Sequence, residues 1–177
     1  ELFAETAAKV LASKGILVKL AKGFVSTPMV SLGVVSEKAS LGVVITASHN
    51  PPSYNGYKLK GDFGGPLLPV DITAVENKIP DANSVDYNAI SMQDLVAEGK
   101  VIYVDLEEMY CIHAKANFDL EAIRNSDMNF AYDAMFGAGM NVVKRLLPEA
   151  TLLHCDDNPG FLGTAPEPIH RNLQEFS

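Results

Sequence analysis

LGVVITASHNPPSYNGYKLKG, residues 41–61, sets the reading of the whole chain. Leu41 to Ile45 is an unbroken apolar run. A strand apolar on both faces belongs in the middle of an α/β sheet, covered on either side. Ser48, His49, Asn50 and the pair Pro51-Pro52 then stop it. The residues up to Asn55 have the composition of an exposed, tightly shaped loop. YKLK (57–60) follows as a returning strand.

Upstream, ELFAETAAKVLASKG places Leu2, Phe3, Ala7, Val10 and Leu11 at helical spacing, with Gly15 as the stop. ILVKL (16–20) reads as a strand, and a loop with Ser26, Thr27 and Pro28 follows. MVSLGVV (29–35) fits a strand or a helix and is assigned a short helix. Downstream, GDFGGPLLP holds too many glycines and prolines for a long regular element. Residues 71–79 form a helix, and the polar DANSVDYN (81–88) ends the first unit. DLEEMYCIHAKANF and DLEAIRNS are helical, with Asp105 and Asp119 as N-caps. MNFAYDA is a second central strand, MFGAGMNVVKRLLPEA a glycine turn and amphipathic helix, and TLLHCDD a third strand. NPGFLGTAPEP leads to a last helix. The expected fold is α/β, in two small or partial layered domains, 1–90 and 91–177, each a mixed sheet packed between helices.

Bulk properties narrow the function. The chain has 177 residues, 47% hydrophobic, enough for one ordinary domain or two small ones. No apolar run approaches the roughly 18 residues of a membrane helix, which points to a soluble protein with no membrane partner. A formal charge of −8 argues against nucleic acid, yet leaves room for small anions held by a few local donors. Cys111 and Cys155 fit no metal spacing and are expected as free thiols in a reducing compartment. With no visible signal peptide, the expected location is cytoplasmic. The chain opens with Glu1 inside a helical pattern and ends inside another (NLQEFS), so it reads as a piece of something longer.

Ser48-His49-Asn50 supports three readings. It can be a strand-end turn in which Ser and Asn cap backbone groups. It can be a hydrolase nucleophile with His49 as base, but adjacent side chains after a strand point apart, and the G-x-S-x-G neighbours are missing. It can be a phosphoryl carrier: an exposed serine can hold the group covalently and split a transfer into two steps. Phosphoserine carries about −1.5 to −2 charge, so it needs a divalent cation and donors. His49, Asn50, Lys58 and loop amides suit that need, and Pro51 and Pro52 would stiffen the loop.

The block TASHNPPSYNGYKLKGDFGGPL resembles the active-site serine loop of the α-D-phosphohexomutases, the phosphoglucomutase/phosphomannomutase family. T-A-S-H-N-P-P, then Y-N-G, then a lysine ten residues after the serine carry the match. A weaker one runs through YDAMFGAGMNVVKRLLPEATLLHCDDNPGFLGTAPEPIHRNLQEF. The resemblance implies interconversion of hexose 1-phosphate and hexose 6-phosphate through a phosphoserine and a hexose bisphosphate, which also serves as activator. Ser48 matches the carrier and Lys58 a lysine that moves a proton or stabilises the transferring oxygen. His49 and Asn50 match residues that shape the phosphate site. It also implies Mg²⁺, bound through the Ser48 phosphate and by aspartates of an Asp-Gly-Asp-x-Asp-Arg loop that this sequence lacks. The 177 residues alone are therefore expected to turn over poorly. Phosphoglucosamine mutases rank lower, on the residues flanking the loop. A non-catalytic sugar-phosphate sensor that kept the loop is the rival reading.

Other features carry plainer readings. His113 beside Cys111 is a packed or solvated helical histidine, because Cys-x-His on a helix points the two side chains apart. The same holds for His154 at a strand end. His170-Arg171 is a solvated helix face, and Asp156-Asp157 are turn residues. Gly137 and Gly139 (FGAG) form a structural turn. Tyr54, Tyr57 and Phe63 are expected as packing residues around the serine loop.

Overall fold

Short helices and strands alternate along the chain in the computed structural model, which describes residues 1–51 and 53–175. The first helix, α1 (Leu2–Ser13), ends just before Gly15, whose φ of +83° is strained for any side-chain-bearing residue. β1 is Val18–Ala21. The ambiguous run after it is helical: α2 spans Thr27–Ser36, with Ser26 extended before it and Pro28 in its first turn, where the missing N–H has no helical partner to lose.

β2 (Leu41–Thr46) and β3 (Gly56–Gly61) form an antiparallel ribbon, with Thr46 opposite Gly56, Val44 opposite Lys58 and Gly42 opposite Lys60. The expectation of a central strand fails here. Among the described residues β2 pairs with β3 alone, and Leu41 is 47% exposed. The apolar run misled because Gly42 reads as neither face. A Cβ at Gly42 would stand 2.4 Å from Val34 Cγ2, so α2 lies directly on this face of the ribbon. The returning strand and the turn after it are as expected. α3 (Pro69–Glu76) starts two residues early and is exposed at every position but Ile72, which is half-buried.

Two elements had no counterpart in the sequence reading: α4 (Met92–Ala97) and β4 (Val101–Val104). β4 pairs in parallel with β1, Val18 opposite Val101. The sheet therefore joins strands from either side of residue 90. α5 (Leu106–Asn117) and α6 (Leu120–Arg124) carry the two expected caps: Asp105 accepts from Glu108 N and Asp119 from Ala122 N, each at 2.9 Å. β5 (Ala131–Asp133) and β6 (Thr151–Leu153) are parallel and joined through α7 (Met140–Leu146). Both are three residues long, shorter than the runs that suggested them. The expected last helix is absent among the described residues; a single 3₁₀ turn, His170–Asn172, stands there. Phe176 and Ser177 lie outside them.

The class is α/β, with small sheets packed among helices. One core cluster joins Met29 of α2, Leu106 and Cys111 of α5 and Val142 of α7. The other joins Ala12, Leu95 and Val101 from α1, α4 and β4. Cys111 and Cys155 are free, as expected; both are also buried, and burial pushes the Cys111 thiol above its usual pKa. No helix of the described residues is long and apolar enough to cross a membrane.

Candidate active site

The ribbon presents its connecting loop at one end, and α2 supports it from one face. Thr46 is the last residue of β2. Its Oγ1 accepts the Ser48 N–H at 2.9 Å. The Ala47 carbonyl accepts two donors from Asn50, the backbone N–H and the side-chain Nδ2, each at 3.0 Å. Further round, Tyr54 N donates to Pro51 O at 2.9 Å. Pro52, expected to stiffen the loop, lies outside the described residues.

Within this frame Ser48 adopts φ +58°, the left-handed region that an L residue enters only at a cost. The turn brings the Ser48 hydroxyl to 3.3 Å from His49 Nδ1. The expectation that these adjacent side chains point apart is thus overturned, because it assumed extended backbone. The contact does not make a hydrolase site: no third group orients His49 among the described residues, as a nucleophile–base pair requires. Ser48, His49 and Asn50 are all exposed.

Lys58 stands two residues into β3, exposed, with no hydrogen bond or ion pair among the described residues. Directly opposed residues of an antiparallel pair share a face, so Thr46, Val44, Lys58 and Lys60 line one side of the ribbon. The other lysines are differently placed. Lys60 is 7% exposed under α2 and donates to Gly64 O at 3.4 Å. Lys22 faces Asp105 at 3.5 Å, at the start of α5.

The aromatic residues near the loop are not packed as expected. Tyr54, Tyr57 and Phe63 are exposed. The Phe63 ring lies over Gly61 and Gly65, where added Cβ atoms would come within 2.4 Å of it. Two glycines let a ring rest on bare backbone while its outer face meets water.

Elsewhere Cys111 is buried in the core and His113 exposed on the far side of α5, where the Asn117 side chain is hydrogen-bonded to it. Gly139 (φ +108°) opens α7 so close to Tyr132 that a Cβ would stand 2.8 Å from its hydroxyl. Asp156 and Asp157 are exposed beyond β6. Arg171 lies in the 3₁₀ turn and faces Glu167 at 3.7 Å. One pairing was missed. His154 Nδ1 lies 2.9 Å from Asp133 Oδ1, Asp133 also accepts from Met135 N, and the Phe136 ring packs tilted against His154 with centroids 4.7 Å apart. Asp133 ends β5 and His154 directly follows β6, 21 positions on, and the pairing of the two strands brings them together.

No group of three or more His, Cys, Asp or Glu among the described residues could hold a metal ion, and no carboxylate is bonded to the Ser48 loop. The described residues do not form a Mg²⁺ cage.

The model for phosphoglucomutase/phosphomannomutase α/β/α domain I matches residues 1–86, and that for domain II of the same proteins matches residues 108–177. A phosphoglucosamine mutase of Methanococcus maripaludis is 34% identical over 161 residues, covering 86% of this chain and 33% of that protein. A phosphoglucomutase of Staphylococcus haemolyticus is 30% identical over 171 residues, covering 90% and 30%. Among solved structures, one assigned as a phosphomannomutase of Thermus thermophilus superposes with a TM-score of 0.85 at 34% identity, over 99% of this chain and 39% of that one. The chain thus spans about a third of the length of the relatives it matches.

Proposed function

The chain belongs to the phosphoglucomutase/phosphomannomutase family, and from that premise we propose that it carries the phosphoserine loop of a hexose-phosphate mutase, with Ser48 as the carrier. The observation that carries the reading is the exposed Ser48 hydroxyl, fixed at a strained backbone position on a hydrogen-bonded loop. A strained, exposed and rigidly held hydroxyl suits a group that must meet a substrate in one orientation.

In the proposed reaction the bond between phosphorus and Ser48 Oγ breaks as a sugar hydroxyl oxygen bonds to phosphorus. The hydroxyl proton leaves that oxygen, and Ser48 recovers one. The resulting hexose bisphosphate turns round, and its other phosphoryl group returns to Ser48. The net result interconverts hexose 1-phosphate and 6-phosphate, and free bisphosphate rephosphorylates any serine that has lost its group. Lys58, exposed on the strand leaving the loop and without an ion pair among the described residues, moves the proton or stabilises the transferring oxygen. His49 and Asn50 shape the phosphate site. The similar proteins are named for glucose, mannose and glucosamine at 30–34% identity, so the substrate class is hexose phosphate and the sugar is left to assay. Mg²⁺ would be held by the Ser48 phosphate together with carboxylates other than those around this loop.

The test is a mutase assay with glucose, mannose and glucosamine 1-phosphates, Mg²⁺ and a trace of the bisphosphate. It is run on these 177 residues and on a longer protein containing them, each with Ser48→Ala. Turnover in the longer protein, lost in the variant and weak in the 177 residues, is expected. Turnover that survives Ser48→Ala sinks the carrier role. Binding without turnover on any sugar supports a sensor instead.

A further inference from the structure

The peptide unit between Ala47 and Ser48 is gripped from both ends. Its carbonyl takes two donors from Asn50, and its N–H is taken by Thr46 Oγ1. These bonds fix the plane that precedes the Ser48 Cα, and with it the direction of the Ser48 side chain. Without them Ser48, at φ +58°, would relax towards the negative φ that an L residue prefers. That rotation would swing Oγ away from His49 Nδ1.

Thr46 is well placed for the task. It closes β2 at the last paired position, so its backbone is anchored in the ribbon. Its branched Cβ restricts χ1, and the residue opposite is Gly56, which offers no side chain to compete for the hydroxyl. Asn50 shares in the grip, but among the described residues it is Thr46 that holds the N–H of Ser48.

We infer that Thr46 is a positioning residue for Ser48: its hydroxyl, by accepting the Ser48 N–H, holds the serine in the left-handed conformation that presents Oγ. The consequence for phosphoryl transfer rests on the carrier reading above; the conformational statement does not. In the transfer that tests it, a phosphoester bond of a hexose 1,6-bisphosphate breaks and a bond from phosphorus to Ser48 Oγ forms. The Ser48 proton leaves and the sugar oxygen gains one.

The experiment compares wild type, Thr46→Val and Thr46→Ser in the full chain. Val keeps the shape and strand propensity but removes the acceptor, and Ser keeps the acceptor. Phosphoryl uptake from hexose 1,6-bisphosphate with Mg²⁺ is followed by intact mass across donor concentrations. In the same samples, solvent exchange and the HN–Hα coupling of the Ser48 amide are read by NMR. Thr46→Val should lower the maximal uptake rate roughly three- to tenfold, the effect of one modest hydrogen bond. It should leave the half-saturating donor concentration unchanged and speed Ser48 amide exchange. Thr46→Ser should restore both. A purely structural role would move stability and half-saturation instead.

Uptake by Thr46→Val at the wild-type rate overturns the inference, as does unchanged amide exchange. If these 177 residues take up no phosphoryl group, uptake is read in the longer protein, where its absence fells the carrier reading, and the amide measurements still decide the clamp. If Thr46→Val does not fold, slow exchange at Ser48 beside fast exchange at His49 in wild type supports it, and fast exchange at both refutes it.

Discussion

Ser48 combines an exposed hydroxyl with a backbone angle, φ +58°, that costs a non-glycine residue about 1–2 kcal/mol. This gives a stability test separable from chemistry. Ser48→Ala keeps the strain, and its stability should stay near wild type. Ser48→Gly relieves the strain but adds about 0.5–1 kcal/mol of backbone entropy cost. Its net stability should lie between wild type and about 1.5 kcal/mol above it. Urea denaturation of the three proteins reads this directly, and a Gly variant less stable than the Ala variant would show that no strain is held there. The residue types of the loop were legible in T-A-S-H-N-P-P. Their geometry was not, because the left-handed turn arises from Thr46 and Asn50 acting on one peptide, and residue order does not specify such bonds.

At the scale of elements, α5 organises the larger core cluster, and its start was legible. Asp-x-x-Glu before an apolar-periodic run is a cap signal, and Asp105 accepts the Glu108 N–H at 2.9 Å. That backbone hydrogen bond, aided by the Lys22 ammonium, holds the Asp105 carboxyl below its usual pKa. A depressed folded-state pKa stabilises the fold above the unfolded value, about 3.9, and that contribution fades as pH falls through the folded value. Asp105 is about half exposed, so solvent screens the lysine and the hydrogen bond dominates. Asp105→Ala should cost about 1 kcal/mol at neutral pH. Asp105→Asn, which keeps the acceptor, should lose less stability than wild type between pH 7 and pH 3. Urea midpoints at the two pH values check both, and equal losses in wild type and the Asn variant would refute the cap's charge dependence. α4 and β4 were not legible. Val-Ile-Tyr-Val is short, and its character as a strand comes from pairing with β1 more than from its own pattern.

Across the whole molecule, the division expected at residue 90 falls between strands that share a sheet. β1 pairs with β4, Val101 is 1% exposed beside Ala12 and Leu95, and α5 closes over α2 through Met29. Residues 1–90 expressed alone would leave β1 without that partner and open both clusters. They should show no cooperative unfolding transition by circular dichroism, whereas residues 1–118 should. A sharp transition in the shorter piece would place a self-sufficient unit before residue 90.

The sequence by itself determined what depends on neighbours along the chain: the helix caps at Asp105 and Asp119, the return of the chain as a strand through 57–60, and the identity of the loop residues. Each rests on a propensity or hydrogen bond that spans a few positions. Tertiary structure decided that Lys60 is buried under α2 while Lys58 is exposed, which strands pair, and that Asp133 meets His154. Those outcomes depend on packing and pairing between distant segments, where the energy lies in contacts that no local pattern encodes.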